Sequence, residues 1–85
     1  MNQAIQFPDR EWWDDKCQAI CFPAVVNGFQ VMCGISGEII ASRYGGDNNE
    51  SWLEHFRLHR WDLEEEAEAM IVEDEDDDQG WVWLS

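Results

Sequence analysis

Residues 17–36 read CQAICFPAVVNGFQVMCGIS, and the way this stretch folds decides the architecture of the chain. Asn27-Gly28 lies between two apolar halves and is the strongest short-range signal for a two-residue hairpin turn, because both residues tolerate the positive φ such a turn requires. With that turn Val26 pairs with Phe29, and the register of the whole ribbon follows. Side chains alternate across a strand, so Ile20, Phe22, Ala24, Val26, Phe29, Val31, Cys33 and Ile35 share one face. Cys17, Ala19, Cys21, Val25, Gln30, Met32 and Gly34 share the other. The first face is larger and more apolar, so it is the expected core face, with a helix packed against it. Pro23 removes a ladder donor from the first strand, which points to an edge position or a bulge there.

On the N-terminal side, Gln3–Phe7 alternates weakly and stops at Pro8-Asp9, as a short edge strand with Ile5 and Phe7 facing inward would. Asp9–Lys16 (DREWWDDK) reads as an irregular connection in which one of Trp12 and Trp13 enters the core and the other forms a lid. On the C-terminal side, Ser36 is placed to cap a short helix over Gly37–Tyr44, which Gly45-Gly46 ends. Ser51 and Glu54 form a capping-box pattern ahead of the longest periodic stretch. At ~100° per residue, Trp52, Leu53, Phe56, Leu63, Ala67, Met70 and Ile71 fall on one stripe of a helix of about five turns. Arg60 lies within the stripe with Glu64 one turn on, whereas Leu58 and Trp61 lie outside it. Glu73–Asp78 (EDEDDD) is a solvated connection whose acids oppose the helix macrodipole, and Trp81-Val82-Trp83-Leu84 alternates as a final strand. This order predicts an α+β fold: a small, mostly antiparallel sheet of about four strands with one short and one long helix packed on one face. Residues 1–85 are expected to form a single domain.

A chain of 85 residues with 45% hydrophobic content and six tryptophans has the material for a core without metals or disulfides. Its charge is lopsided: 19 acids against five bases give a net of -14. Residues 1–60 hold eight acids and all five bases, and residues 61–85 hold eleven acids and no base. Such a field repels phosphate backbones and anionic membrane surfaces, which argues against direct nucleic-acid or membrane binding. No apolar run approaches the ~18 residues that span a bilayer. Three cysteines are an odd number, Cys33 points away from Cys17 and Cys21 in the hairpin register, and no basic-then-apolar leader precedes them. Reduced thiols and a cytoplasmic location are the expectation.

The early IQF segment, the hairpin ICFPAVVNGFQVMCGIS and the helix FRLHRWDLEEEAEAMI together resemble domain-of-unknown-function family 1488, short bacterial proteins, over nearly the whole chain. The resemblance is carried by the strand pair ending in Cys33-Gly34-Ile35-Ser36, by Arg60, and by Ala67 four residues past Leu63. It implies an α+β fold with no assigned activity, and therefore brings no catalytic residue. The acidic run is heavier than the family pattern requires.

The constellations that suggest chemistry have simpler readings. His55 and His59 have the spacing at which two imidazoles share a metal, but neither HExxH nor a cysteine pair accompanies them, so they read as partly exposed helix histidines. Gly34-Ile35-Ser36-Gly37-Glu38 lacks the final glycine of a nucleophile elbow, and Ser36 reads as a helix cap. Cys17 and Cys21 form no CxxC, and Cys33 reads as a small buried hydrophobe. Asp74, Asp76 and Asp78 alternate as in a calcium loop, but Gln79 and Ser85 stand where glycine and glutamate are needed. Arg60 on an apolar stripe reads as a packed stem with its guanidinium paired to an acid such as Glu64.

No catalytic residue, cofactor or metal ligand is therefore expected. Trp61, off the stripe, and Trp81 and Trp83, on one face of the last strand, form the candidate interaction surface, with a cover for the sheet's second face as the alternative role of the last two. The expected function is that of a non-enzymatic interaction or regulatory module, with a homodimer as one form and a protein partner the sequence does not identify. The rival is an acidic mimic of nucleic acid that binds basic DNA- or RNA-binding proteins, motivated by the charge of residues 61–78.

Overall fold

The computed structural model describes residues 5–74 and 76–85. Among these residues five strands and three helices follow in the order β1 (Ile5–Gln6), β2 (Trp12–Asp14), β3 (Ala19–Val26), β4 (Phe29–Ser36), α1 (Gly37–Tyr44), α2 (Asn49–Leu58), α3 (Arg60–Val72) and β5 (Trp81–Leu84). This is the α+β architecture the element order predicts. The sheet runs β1-β3-β4-β5, with β2 pairing β3 beside β1.

β3 and β4 form the predicted hairpin, in register from Val26↔Phe29 at the turn to Ala19↔Ser36 at the far end. Asn27 and Gly28 take φ of 52° and 88°, the left-handed values that a tight turn between right-twisted strands demands. Pro23 sits in a strand that has neighbours on both sides, and its register with β4 is unbroken, so there is no bulge. Hydrogen-bonded and non-hydrogen-bonded pairs alternate from the turn outward, which puts Pro23↔Met32 in the second class. The missing N–H would therefore have pointed away from β4. On that side β1 pairs with Val25 and Val26, and β2 pairs with Ala19, Ile20 and Cys21. Pro23 faces the gap between the two short strands.

Several expectations are corrected. Residues 9–16 are not wholly irregular, because Trp12–Asp14 pairs antiparallel with Ala19–Cys21. The first strand is confined to Ile5–Gln6 among the described residues; positions 3 and 4 lie outside them. Ile5 and Phe7 do pack inward against the core. β5 lies parallel to β4, from Met32↔Trp81 to Ile35↔Leu84, so the sheet is mixed, yet its other pairings are antiparallel and it stays mostly antiparallel as expected. A parallel partner needs a long crossover, and the three helices supply it.

The predicted five-turn helix is two helices. His59 closes α2, donating its N–H to the carbonyls of His55 and Phe56, and its own carbonyl accepts from Leu63 N at 3.1 Å to open α3. The apolar stripe survives the break: Phe56 before it and Leu63 after it are both 0% exposed. The N-cap is Asn48, not Ser51. Asn48 Oδ1 accepts from Ser51 N at 2.8 Å, and Ser51 Oγ accepts from Asn48 N at 3.2 Å, so Ser51 supplies the reciprocal bond of the box. Ser36 caps α1 as expected, accepting from Ile39 N at 3.2 Å.

The core lies between the predicted sheet face and the helices. Ile20, Phe22, Ala24, Cys33 and Ile35, joined by Val82 and Leu84 of β5, meet Ile40, Phe56, Leu63, Ala67 and Ile71. The Phe22 and Phe56 rings stand 4.9 Å apart at 52°, a tilted aromatic contact. Phe29, assigned to the core face by alternation, is 77% exposed, because it flanks the turn at the ribbon's tip, outside the core cluster.

Candidate interaction surface

Paired residues share a face of the sheet, so the register assembles the surface opposite the helices. One row crosses four strands as Trp12, Cys21, Gly34 and Trp83, and the next holds Pro23, Met32 and Trp81. The helical members of the core cluster meet the other face. What covers this one is aromatic. Gly34 leaves room for the Trp83 ring: a Cβ at position 34 would stand 2.7 Å from Trp83 Cε3. Trp81, two residues away on the same strand, stacks on Trp83 with ring centroids 5.2 Å apart and planes 11° apart. At the opposite edge, the Arg10 guanidinium lies 5.5 Å from the Trp12 ring.

Asp77 holds the pair in place. Its Oδ1 accepts from Trp81 N and Gln79 N, both at 2.9 Å, and its Oδ2 accepts from Trp83 Nε1 at 3.1 Å. These bonds, that from Trp81 N first, hold its carboxyl below the usual carboxylate range. Of the two roles open to Trp81 and Trp83, the structure has both rings covering the second face, and each is half-buried there.

Trp61 does not join them. It is 85% exposed on α3 and lines a separate hollow with Phe7 on the helix side of the sheet. The member that sequence reading missed is Trp12. Its neighbour Trp13 turns to the core side, 5.4 Å from Trp52, as the one-in, one-out expectation for adjacent tryptophans requires. That alternation was the available signal, and it needed β2 to be read as a strand.

Most of the arginines and both histidines are engaged structurally. Arg60 pairs with Glu11, with Glu64 at 3.2 Å and with Asp9 at 3.6 Å, and its guanidinium lies 5.1 Å from the Phe56 ring. Arg57 also reaches Glu11, at 2.8 Å. Arg43 forms two bonds to Glu66, at 2.6 and 3.0 Å, and another to the Ser85 carbonyl, tying α1 to α3 and to the chain's last residue. The Glu66 bond chiefly raises the Arg43 pKa. His59 stacks on Tyr44 at 3.9 Å and 6°, with His55 at 6.5 Å from the same ring. Cys17 is exposed in the turn before β3, not in the strand with Cys21; Cys21 and Cys33 are buried on opposite faces, and all three thiols are free. Burial pushes Cys33 up to about 12, and burial, with Asp14 and Cys17 adding to it, pushes Cys21 up to about 11. Among the described residues no group of three or more His, Cys, Asp or Glu is arranged to hold a metal ion, and no helix is long and apolar enough to cross a membrane.

The family model described as "Protein of unknown function (DUF1488)" matches residues 5–84. The chain belongs to the DUF1488 family. Its sequence is 66% identical over 84 residues to the "Uncharacterized protein YrdB" of Escherichia coli (strain K12), covering 99% of both chains. The Shigella flexneri protein of the same description is 64% identical over 84 residues, again covering 99% of both. A crystal structure of a DUF1488-family protein of unknown function from Shewanella loihica PV-4 superposes with a TM-score of 0.90 at 32% identity, covering 99% of this chain and 94% of that one. The DUF1488 fold thus agrees with the α+β resemblance read from the hairpin and helix motifs.

Proposed function

We propose that this DUF1488 chain is a non-enzymatic interaction or regulatory module of the bacterial cytoplasm, working through the helix-free face of its sheet. The observation that carries this reading is the coat of half-buried tryptophans, Trp12, Trp81 and Trp83, across that face, where each keeps part of its ring at the surface. Large flat aromatic rings held in place by the fold are the groups that dominate interface energies. The partner is another protein or a second copy of the chain. Oxidative footprinting of the indoles tests this. Trp81 and Trp83 should be oxidised more slowly in native lysate, or at high concentration of the pure chain, than in dilute pure protein; equal oxidation in all three contradicts it.

One observation favours a second reading, an acidic mimic of nucleic acid. Glu64 and Glu66 turn to Arg60 and Arg43, while Asp62, Glu65 and Glu68 remain exposed along α3. Salt-sensitive capture of basic nucleic-acid-binding proteins would support it, and no capture at low salt would contradict it.

A further inference from the structure

Among the described residues Trp61 is the most exposed of the large apolar side chains, and it is not part of the core cluster. It lies in the first turn of α3, beside a hollow of about 210 Å³ that it lines with Phe7, Glu64, Glu65 and Glu68. Phe7 is anchored from behind by Phe22, with ring centroids 6.3 Å apart. Trp61, Glu65 and Glu68 are spaced i, i+4 and i+7, which aligns an indole and two carboxylates along one line of the helix. Glu64 is already engaged by Arg60 at 3.2 Å.

We infer that Phe7, Trp61, Glu65 and Glu68 form a receptor for a cationic side chain, arginine above all, presented by a basic segment of another protein. An indole face is the best aromatic partner for a cation, and a planar guanidinium can stack on it while bonding a carboxylate. Charge complementarity excludes a second copy as the occupant. Arg43, Arg57 and Arg60 are held in ion pairs and Arg10 lies over Trp12, so a second copy would offer one exposed lysine, Lys16, and no basic segment, against a net charge of -14 on each copy. The inference rests on the reading that the chain acts by binding protein, but it uses a surface separate from the tryptophans of the sheet.

The probe is a tetra-arginine peptide titrated into the ¹⁵N-labelled full chain, with spermidine as a diffuse polycation control. Saturable shifts are expected at the Trp61 indole N–H and the Glu65 and Glu68 amides. Trp61→Ala and the double variant Glu65→Gln/Glu68→Gln should each weaken binding by about threefold to fivefold without lowering Tm. The charge-matched pair Asp76→Asn/Asp78→Asn should leave the affinity unchanged. The inference is overturned if the shifts centre on the acidic connection, if the Asp76/Asp78 pair loses as much affinity as the Glu65/Glu68 pair, or if spermidine shifts Trp61 as strongly as the peptide. Failure here, with Trp81 and Trp83 still protected in lysate, would remove this receptor and leave the sheet-face reading standing.

Discussion

Gly34 lies beneath the indole of Trp83, close enough that a Cβ would stand 2.7 Å from Trp83 Cε3. Glycine inside a strand ordinarily weakens it, and here it is explained by the close approach of a neighbouring ring. The stacked pair on β5 and the cover of the sheet's second face both depend on this one absent side chain.

Gly34→Ala should therefore destabilise the chain by about 1–3 kcal/mol through overpacking. Gly28→Ala should cost about 1–2 kcal/mol by placing a Cβ at positive φ in the turn. Urea unfolding reads both losses, and near-ultraviolet circular dichroism separates them: the first should disturb the signal of the stacked indoles, and the second should leave it intact.

Arg60 and Glu11 form the most enclosed ion pair described, with side chains 16% and 12% exposed. Arg60→Met keeps an apolar stem near Phe56 but leaves Glu11 to Arg57 alone. Partial exposure keeps the expected loss to roughly 1–3 kcal/mol, below that of a fully buried pair. Glu11→Gln should recover part of this loss in the double variant. A double-mutant cycle in urea measures the coupling, and a coupling of zero would contradict the role assigned to the pair.

The buried thiols give an alkaline limit. An unfolded thiol ionises near its ordinary value of 9.0, whereas folded Cys21 and Cys33 hold their protons to about 11 and about 12. Above 9.0 the unfolded state binds fewer protons, so stability is complete below that pH and is lost between there and about 12. Unfolding midpoints across this range should fall less steeply in Cys21→Ala/Cys33→Ala than in the parent chain. At neutral pH a thiol reagent should label Cys17 at once and the other two only on unfolding.

Asp77 sets an acid limit of the opposite sign. Its folded pKa lies below 3.8, so its contribution is present above that value and is lost as pH falls through the folded pKa. The exciton signal expected of the Trp81–Trp83 stack should fade over that range and should be absent in Asp77→Ala at neutral pH. Persistence of the signal in the variant would show that Asp77 does not hold the pair.

The hairpin was legible because Asn27-Gly28 fixes the turn and the two-residue period then assigns every side chain to a face. The helical stripe was legible for the same kind of reason, yet the break at His59 was hidden, since Phe56 and Leu63 stay on the buried side across it. β2 escaped because three residues flanked by charges have no periodicity of their own; their strand conformation comes from pairing with β3. The direction of β5 is likewise a property of its partner, not of four alternating residues. Of the candidate surface, spacing alone brings Trp81 and Trp83 together, Trp12 is hidden with β2, and Trp61, off the stripe in sequence, is carried by α3 to the helix side.

The central claim is that the tryptophan-coated sheet face is where this chain meets protein. Photocrosslinking in living cells tests it most directly, with a benzophenone side chain placed at Gln30, exposed on that face, or at Glu38, exposed on α1. Discrete adducts from position 30 and none from position 38 are the predicted result. Adducts from position 38 alone, or from neither position, would contradict it.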